Sequence, residues 1–565
     1  MSVVGARTVG QPDLVVTDAT ILTIDPRQPR AAWVAVHHGR IVAVGSSTRD
    51  APEARRRVSL GGATLVPGFH DAHNHTVLYG RSLTSVDLRH PHVASLEELY
   101  EAIAEAARRL PAGSWIFGEN YDQNKLGAHP GLDRLDQIAP GHYVRLGHNS
   151  RHMCFVNSRV LRELHIARAP DPTGGRVERD RDDRPTGLLL ESAMELLRPL
   201  TWPTPVDRMV DYIEAAHRQY LSEGLTAVQE AGVGAGLAGS APAEAFAFQT
   251  ARSRGVLGVR TTLMPDGTSA AMIAGAHGDD VFGYGLGLVS GFGDLWLRLG
   301  PMKLFSDGSL IGRSAAMNDG FADDPCNHGM LAMAPGQLEE KILAAHRAGW
   351  QLATHAIGDR AVDAVIDAYA VALREVPRDG HRHRIEHAGI ASDAAVARMA
   401  ELCLIPNPQG RFIGELGDGM IRALGADRVA QCYRGRSLLD AGIELPGSSD
   451  RPVVDGAPLL GIHDMVNRQT DSGQEFAPQE ALTAEQALRA YTYGSAYAAF
   501  LEPHMGSVAP GKVADFAVLS QDPTAVEPGQ IRDIEVVATV IDGRAAFDPT
   551  DLWKEGPDAP DSPGA

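Results

Sequence analysis

The stretch Ala63-Thr-Leu-Val-Pro-Gly-Phe-His-Asp-Ala-His73-Asn-His75 is a short apolar run that ends in two histidines one residue apart. Because a β-strand alternates its side chains between two faces, His73 and His75 should point the same way. Two imidazoles on one face can hold a divalent metal ion. The chain has 22 histidines, so two unrelated surface-loop histidines are the alternative unless further ligands are found.

Length and charge limit the classes of protein that the chain can belong to. Its 565 residues predict two or three domains, or one large barrel with additions. With 52 basic and 71 acidic residues the net charge is −19, which argues against nucleic acid or an anionic membrane surface as a partner. Four cysteines without a C-x-x-C pair, no signal-peptide pattern and no membrane-length apolar run lead us to expect a cytoplasmic protein.

The middle of the chain alternates predicted strands and helices. The predicted strands after His75 cover residues 224–230, 258–264, 297–305, 350–354, 383–387, 403–405 and 443–447. The predicted helices cover residues 208–221, 337–348, 359–373, 392–402 and 436–441. Repeated β-α units call for a parallel sheet, and roughly eight strands favour a closed (β/α)₈ barrel. A doubly wound open sheet is the alternative, but no G-x-G-x-x-G follows the first strand.

Both ends of the chain are rich in short predicted strands, which suggests one small β-domain built from residues 1–66 and 505–550. Two separate β-appendages are the alternative. The barrel domain is expected to span residues 67–504, with an inserted α/β subdomain at residues 85–200 after the first barrel strand, because the connection there is far longer than a crossover needs. Residues 551–565 should form a mobile tail.

The active site of such a barrel lies where the strands end, so chemistry-bearing side chains should follow the strands. The side chains found there are His73, His75, Lys303, His355, His387 and Asp450. Each alone could be a capping histidine, a solvated lysine or a turn aspartate, but their recurrence at successive strand ends favours a site. Imidazoles with a carboxylate suit Zn²⁺, with Mn²⁺, Fe²⁺ or Co²⁺ as alternatives, and therefore predict metal-assisted hydrolysis.

Lys303 is unusual in this set, because an ammonium would repel a metal ion. It fits if it is uncharged, or if CO₂ has converted it to a carbamate, an anionic oxygen ligand able to bridge two metals. Lysine is rare in this arginine-rich chain, which agrees with a role for Lys303 that an arginine could not take. The alternative is an ordinary ion pair between Lys303 and Asp307.

Taken together, these motifs resemble the amidohydrolase superfamily, and more narrowly its amidohydrolase-3 branch, which includes N-substituted formamide deformylases. The segments that carry the resemblance are Pro67-Gly-Phe-His-Asp-Ala-His-Asn-His75, Lys303-Leu-Phe-Ser-Asp-Gly308, Thr354-His-Ala-Ile-Gly-Asp359, Arg384-Ile-Glu-His387, Gly447-Ser-Ser-Asp450 and Gly506-Ser-Val-Ala-Pro-Gly-Lys-Val-Ala-Asp515. The resemblance implies a TIM-like barrel, a β-sandwich domain from both termini, and the inserted subdomain.

The resemblance also implies roles for the strand-end residues. The implied metal ligands are His73, His75, His355 and His387, with carboxylated Lys303 as a bridge between two Zn²⁺ ions and Asp450 as both ligand and proton shuttle. Two positions depart from the branch pattern: Glu230 stands where Asp is usual, and Pro406-Asn-Pro-Gln409 stands where Gln-Pro is usual. We expect neither to touch a metal ligand, although both could affect substrate shape.

We therefore expect a metal-dependent amidohydrolase in which a metal-bound hydroxide attacks a non-peptide C–N bond of a small molecule. The substrate would be an N-substituted formamide, a related amide or a carbamate, and the family suggests a homodimer. A mononuclear-metal deaminase of an amino-heterocycle is the alternative, against which Lys303 argues. A non-catalytic binding or scaffold relative should have lost strand-end ligands, and none is missing here.

Candidate substrate contacts come mainly from the insert. Tyr121, Arg151 and His152 could wall the pocket there, with Arg151 facing a substrate carboxylate, and Arg313 could reach the barrel mouth. The alternative is that the aromatic residues form the insert's own small core.

Overall fold

The computed structural model describes residues 11–148, 153–166, 170–172, 175–234, 238–275 and 280–553. These residues form two compact units. The smaller unit comprises Val77–Ala215 and Ser240–Pro242, and the larger unit comprises the rest of the described chain. The insert that the sequence suggests, residues 85–200, falls within the smaller unit, and its boundaries stay a prediction. Of the expected tail, residues 554–565 lie outside the described part.

Parallel strands form the centre of the larger unit. One four-stranded sheet contains, in spatial order, Leu297–Leu299, Arg260–Pro265, Leu225–Val233 and Phe69–Asn74. A second contains Met302–Phe305, Leu352–Ala356, Arg384–His387 and Ile405–Asn407. A parallel bridge between Asp266 and Lys303 joins the two sheets. The strands are buried on both faces, as expected of parallel strands covered by crossover helices.

The segment of residues 447–451 lies beside the strand Phe69–Asn74. The N–H of Ala72 donates to the carbonyl of Gly447 (2.9 Å), and the N–H of Asp450 donates to the carbonyl of His73 (2.8 Å). A parallel bridge joins Asn74 and Arg451. If Leu297–Leu299 and Met302–Phe305 are counted as one interrupted strand, as the sequence predicts for residues 297–305, this segment occupies the place of an eighth strand. Its closure against Ile405–Asn407 stays a prediction.

Five helices match the predicted ones closely: Val206–Ser222, Pro335–Arg347, Asp359–Glu375, Asp393–Glu401 and Arg436–Asp440. Three further helices have no predicted counterpart: Glu244–Ser253, Arg411–Leu424 and Pro458–Asn467. In Asp359–Glu375 the apolar residues recur every three or four positions, so one face is buried. The helix Arg411–Leu424 was not predicted, because its three glycines lower helix propensity. A Cβ on Gly414 would lie 2.3 Å from an oxygen of Asp464, so close packing requires glycine there.

Strands from both ends of the chain pack around one core. A four-stranded sheet contains Arg40–Gly45, Trp33–His37, Leu14–Thr17 and Arg56–Ser59. A six-stranded sheet contains Arg544–Phe547, Val536–Ile541, Phe516–Leu519, Thr64–Pro67, Thr20–Leu22 and Arg30–Ala31. Leu14, Val34, Phe516 and Val518 are buried in the same apolar cluster, so the two ends are not separate appendages. These sheets and the parallel strands belong to one compact unit, so the predicted domain boundaries stay predictions.

The smaller unit has its own six-stranded sheet and helices. In spatial order the strands are Gly175–Arg179, Pro185–Glu191, Met153–Val156, Tyr143–His148, Trp115–Tyr121 and Val86–Asp87. The helix Leu96–Arg109 begins after Ser95, whose side chain caps it, and buries Leu99 and Ile103. Among the described helices of either unit, none has the length and apolar character that crossing a bilayer requires.

Candidate metal centre

Three of the predicted ligands form a buried cluster in the larger unit. Atoms of His73, His387 and Asp450 that could bind a metal ion all lie within 4.8 Å of one another. One oxygen of Asp450, Oδ1, lies 2.9 Å from Nε2 of His75 and 3.3 Å from Nε2 of His73. The structure thus brings three predicted histidines, His73, His75 and His387, to the carboxylate of Asp450.

The hydrogen bonds of the histidines fix which nitrogen each presents. Nδ1 of His75 donates to the carbonyl of Ala231 (2.9 Å), and Nδ1 of His387 donates to Oε1 of Gln409 (2.7 Å). Nδ1 of His73 is hydrogen-bonded to the carboxylate of Glu386. In each ring the other nitrogen, Nε2, is therefore the one that can bind a metal ion. This set of imidazoles and one carboxylate fits a divalent metal ion.

His355 presents the opposite nitrogen. Its Nε2 donates to the carbonyl of Gly308 (3.0 Å), which leaves Nδ1 as the nitrogen that can bind metal. The centroids of the His355 and His387 rings are 4.5 Å apart. His355 therefore adjoins the cluster through His387, although it is not one of the three residues whose binding atoms lie closest together.

Lys303 is buried, and its Nζ has no hydrogen-bond partner among the described residues. Burial lowers the pKa of its amine to about 8; Arg384 acts in the same direction, while Glu386 and Asp450 oppose the shift. An amine without a partner, whose pKa is lowered toward neutral pH, gives up its proton more readily than an ordinary lysine and can then react with CO₂ or face a metal. The donor set around it therefore fits the metal centre that the sequence predicts.

The proposed ion pair between Lys303 and Asp307 is wrong. The carboxylate of Asp307 instead accepts hydrogen bonds from the backbone N–H groups of Ala316 (2.9 Å), Ile357 (3.0 Å) and Gly358 (2.8 Å). These bonds tie the segment after Lys303 to the end of the strand that carries His355. Asp307 thus acts as a structural residue beside the site.

Glu386 is a functional residue that the sequence analysis did not identify. Arg384 donates from Nε to Oε1 (2.8 Å) and from Nη2 to Oε2 (2.9 Å) of this carboxylate, and Asn407 donates to Oε2 (2.9 Å). Burial would raise the pKa of Glu386, but Arg384 and His73 hold it well below its ordinary value. A negative charge therefore stands behind His73. The alternation in Arg384-Ile-Glu386 places both charges on one face of the strand, and Glu386 could have been identified from this feature of the sequence.

Asp450 is held ionised in spite of its burial. Burial would raise the pKa of Asp450, but the hydrogen bonds and positive fields of His73 and His75 keep it well below its ordinary value. Burial lowers the pKa of His387 well below its ordinary value and so keeps this imidazole neutral. The backbone of His387 (φ 70°) and Asp450 (φ 59°) is left-handed, which non-glycine residues rarely adopt and which clusters at functional sites.

One of the two departures from the branch pattern touches a proposed ligand, contrary to our expectation. Gln409 accepts from His387, and Asn407 donates to Glu386, as described above. The carboxylate of Glu230 accepts from the backbone N–H of Thr76, the residue after His75. The expectation was wrong for Gln409, because partners on neighbouring strands are distant in sequence, while the bond of Glu230 is to a residue beside a proposed ligand.

The predicted substrate contacts are only partly visible. Tyr121 is buried in the apolar core of the smaller unit, and its hydroxyl lies 3.1 Å from Nδ1 of His129. Arg313 is bound through Nε (2.9 Å) and Nη2 to the carboxylate of Asp323. Arg151 and His152 lie outside the described residues. Contact of these four residues with substrate stays a prediction.

Comparison with known proteins assigns the family. Residues 56–547 match the sequence model described as the amidohydrolase family. The chain belongs to the amidohydrolase family. An N-substituted formamide deformylase of Arthrobacter pascens is 32% identical over 552 residues, which cover 95% of this chain and 99% of that protein. The protein LONG AFTER FAR-RED 3 of Arabidopsis thaliana is also 32% identical, over 95% of this chain and 91% of that protein.

A solved structure agrees with this assignment. An uncharacterised metal-dependent hydrolase of Pyrococcus horikoshii is 27% identical, with a TM-score of 0.74 over 91% of this chain and 99% of that chain. This amidohydrolase is therefore a metal-dependent hydrolase that acts on C–N bonds, with the barrel type of fold that its relatives share. Two equally similar relatives carry different names, so similarity alone does not name its substrate.

Proposed function

We propose that this amidohydrolase cleaves a non-peptide C–N bond in a small molecule: an N-substituted formamide, a related amide or a carbamate. The observation that carries the proposal is the buried, ionised Asp450, whose Oδ1 lies 2.9 Å from Nε2 of His75 and 3.3 Å from Nε2 of His73. The choice of formamides is supported by the deformylase of Arthrobacter pascens, which is similar along 99% of its own length.

Six residues would hold the metal. They are His73, His75, Lys303, His355, His387 and Asp450. The proposed cofactor is a pair of Zn²⁺ ions, with Mn²⁺, Fe²⁺ or Co²⁺ as alternatives, because imidazole and carboxylate ligands suit these ions. When bound, a divalent ion makes water acidic enough to act as a nucleophile near neutral pH and polarises a carbonyl.

Lys303 would bridge as a carbamate. The lone pair of its neutral Nζ forms a bond to the carbon of CO₂, and one N–H proton leaves to solvent, which converts the amine into an anionic oxygen ligand. The buried Nζ without a partner, and a pKa lowered by burial to about 8, support this reaction. An arginine could not take this part, because it stays protonated.

Asp450 would move the proton during hydrolysis. Its carboxylate takes a proton from the attacking water as the new C–O bond forms, and returns that proton to the leaving nitrogen as the C–N bond breaks. The imidazoles beside Oδ1 hold the pKa of this carboxylate well below its ordinary value, so it is ionised before the reaction. Glu386 keeps His73 in the orientation that presents Nε2.

The test is a hydrolysis screen with the full chain. A panel of N-alkyl and N-aryl formamides, simple amides and carbamates is incubated with metal-loaded protein, and formate, carboxylate and amine are quantified. We expect release of formate and amine in equal amounts, abolished by a chelator. Ammonia release from amino-heterocycles, with no cleavage of any amide, formamide or carbamate, would instead identify a deaminase.

A further inference from the structure

A cavity of about 280 Å³ lies in the larger unit, at a different place from the metal centre. Its lining includes Ser290, Arg298, Gln351, Arg378, His381 and Phe500. Gln351 directly precedes the strand Leu352–Ala356, which carries His355 near its other end. At about 3.3 Å per residue, roughly 13 Å of strand separates Gln351 from His355. The cavity therefore borders the opposite end of this strand from the metal ligands.

Two arginines of this lining have no carboxylate partner. The guanidinium of Arg298 forms no hydrogen bond or ion pair within the described chain, its Nε is buried, and burial lowers its pKa. Arg378 donates from Nη2 to the carbonyl of Trp350 (2.6 Å) and from Nη1 to that of His346 (3.4 Å). Its own Nε is also buried without a partner. Partly buried charges are normally paired with a group of opposite charge, so two guanidinium groups without a carboxylate partner at one cavity require an explanation.

Two carboxylates of the neighbouring segments are already engaged, while the exposed Asp379, which follows Arg378, makes no ion pair with Arg298 or Arg378. Asp294 binds Arg252 through two hydrogen bonds of 2.8 and 2.5 Å. Glu502 binds Arg382 through bonds of 3.0 and 2.8 Å. No acidic side chain is among the described residues that line the cavity. Two positive charges therefore face the cavity without a counter-charge from this lining.

The other polar groups of the lining are neutral and committed to backbone. His381 donates from Nε2 to the carbonyl of Leu402 (3.0 Å) and accepts at Nδ1 from the N–H of His383 (3.0 Å), and burial lowers its pKa to about 4. Gln351 donates to the carbonyls of Arg382 (2.7 Å) and Ala498 (2.9 Å). These bonds fix the side chains of the cavity wall. The hydrogen-bond donors that lack a partner therefore belong to the two arginines.

We propose that this cavity binds a small oxyanion, either inorganic phosphate or the carboxylates of a small metabolite, through Arg298 and Arg378. A guanidinium presents a planar fork of N–H donors that matches phosphate and carboxylate oxygens. The volume is slightly below that of drug-sized ligand pockets and suits a small anion. Because the site lies away from the metal ligands, the anion is an added ligand of the enzyme, and its binding would stabilise the folded chain.

The test is calorimetric titration of the full chain with inorganic phosphate and, separately, with succinate, at constant ionic strength set with chloride. We expect saturable binding of one of these anions, weakened about tenfold or more in each of Arg298→Gln and Arg378→Gln. The exposed Arg347→Gln is the matched control and should bind as the wild type does. Binding of phosphate alone or of succinate alone identifies the oxyanion; binding of neither overturns the proposal.

A second measurement keeps the proposal testable if an arginine variant fails to fold. Hydrogen exchange of the wild-type chain is compared with and without the binding anion. Amides in the segments 290–300 and 378–383 should exchange more slowly with the anion bound, while those near His73 and Asp450 should not change. Equal binding by the wild type and both cavity variants, or protection confined to the metal centre, would contradict the assignment.

Discussion

Nδ1 of His73 is hydrogen-bonded to the carboxylate of Glu386, on the side of the ring away from Asp450. Arg384 binds both oxygens of that carboxylate, so the charge behind His73 is itself fixed. A carboxylate behind a ligating histidine sets the tautomer of the ring and raises the basicity of the nitrogen that binds metal. Glu386 is thus a positioning residue for the metal centre.

Glu386→Gln should weaken metal binding by about 10–100-fold, because the amide removes the negative charge that supports His73. Competition with a chromogenic chelator gives the metal affinity, and thermal unfolding reports on the fold. Glu401→Gln, at an exposed helix end, is the matched control. Unchanged metal affinity in Glu386→Gln would show that His73 does not depend on this carboxylate.

Asp450→Asn should lower turnover about 10²–10⁴-fold, because the amide can neither accept the proton of water nor return it to the leaving nitrogen. The measurement is kcat on whichever amide, formamide or carbamate the wild type cleaves, with metal content determined on the same sample. Asp427→Asn, an exposed change, should keep wild-type activity. A kcat equal to that of the wild type in Asp450→Asn would show that Asp450 does not transfer the proton.

Asp515→Asn should destabilise the larger unit. Asp515 binds Arg260 through Nε (2.7 Å) and Nη2 (3.1 Å), and both side chains are buried, so the change leaves Arg260 with the contact to Asp542 (2.6 Å). Breaking a buried pair costs about 3–5 kcal/mol, and the remaining contact makes this an upper bound. Denaturant unfolding measures the effect. An unchanged denaturant concentration at the unfolding midpoint would show that Asp542 alone is enough to balance the charge of Arg260.

Because of Lys512, the free energy of unfolding should rise with pH above about pH 8. Burial lowers the pKa of Lys512 from 10.5 to about 8 in the folded chain. Between these values the unfolded chain binds more protons than the folded chain, so raising the pH favours folding. Lys512→Met should be more stable than the wild type near pH 7, and this difference should shrink as pH rises through the window. A constant difference across the window would contradict the prediction.

The candidate metal ligands at the strand ends were predictable from sequence. The spacing of His73 and His75, and the position of His355 and His387 after apolar runs, follow from strand alternation and from the position of active sites in barrels. The helix Asp359–Glu375 was equally clear, because its apolar residues recur with helical period.

Interactions between elements were not predictable in the same way. Gln409 reaches His387, and Glu386 reaches His73, through pairings of neighbouring strands that no local pattern encodes. The helix Arg411–Leu424 escaped prediction because its glycines serve close packing, which overrides propensity. Tyr121 lies in the apolar core of the smaller unit, and its contact with substrate stays a prediction.

The most direct test of the central claim is metal content by elemental analysis of the wild type and Lys303→Ala, purified without chelator. The exposed Lys125→Ala is the control. We predict about two metal ions per chain in the wild type and the control, and a sharp fall in Lys303→Ala, because the carbamate bridge is lost. One ion per chain that is unaffected by the change at Lys303, or no metal at all, would contradict the account.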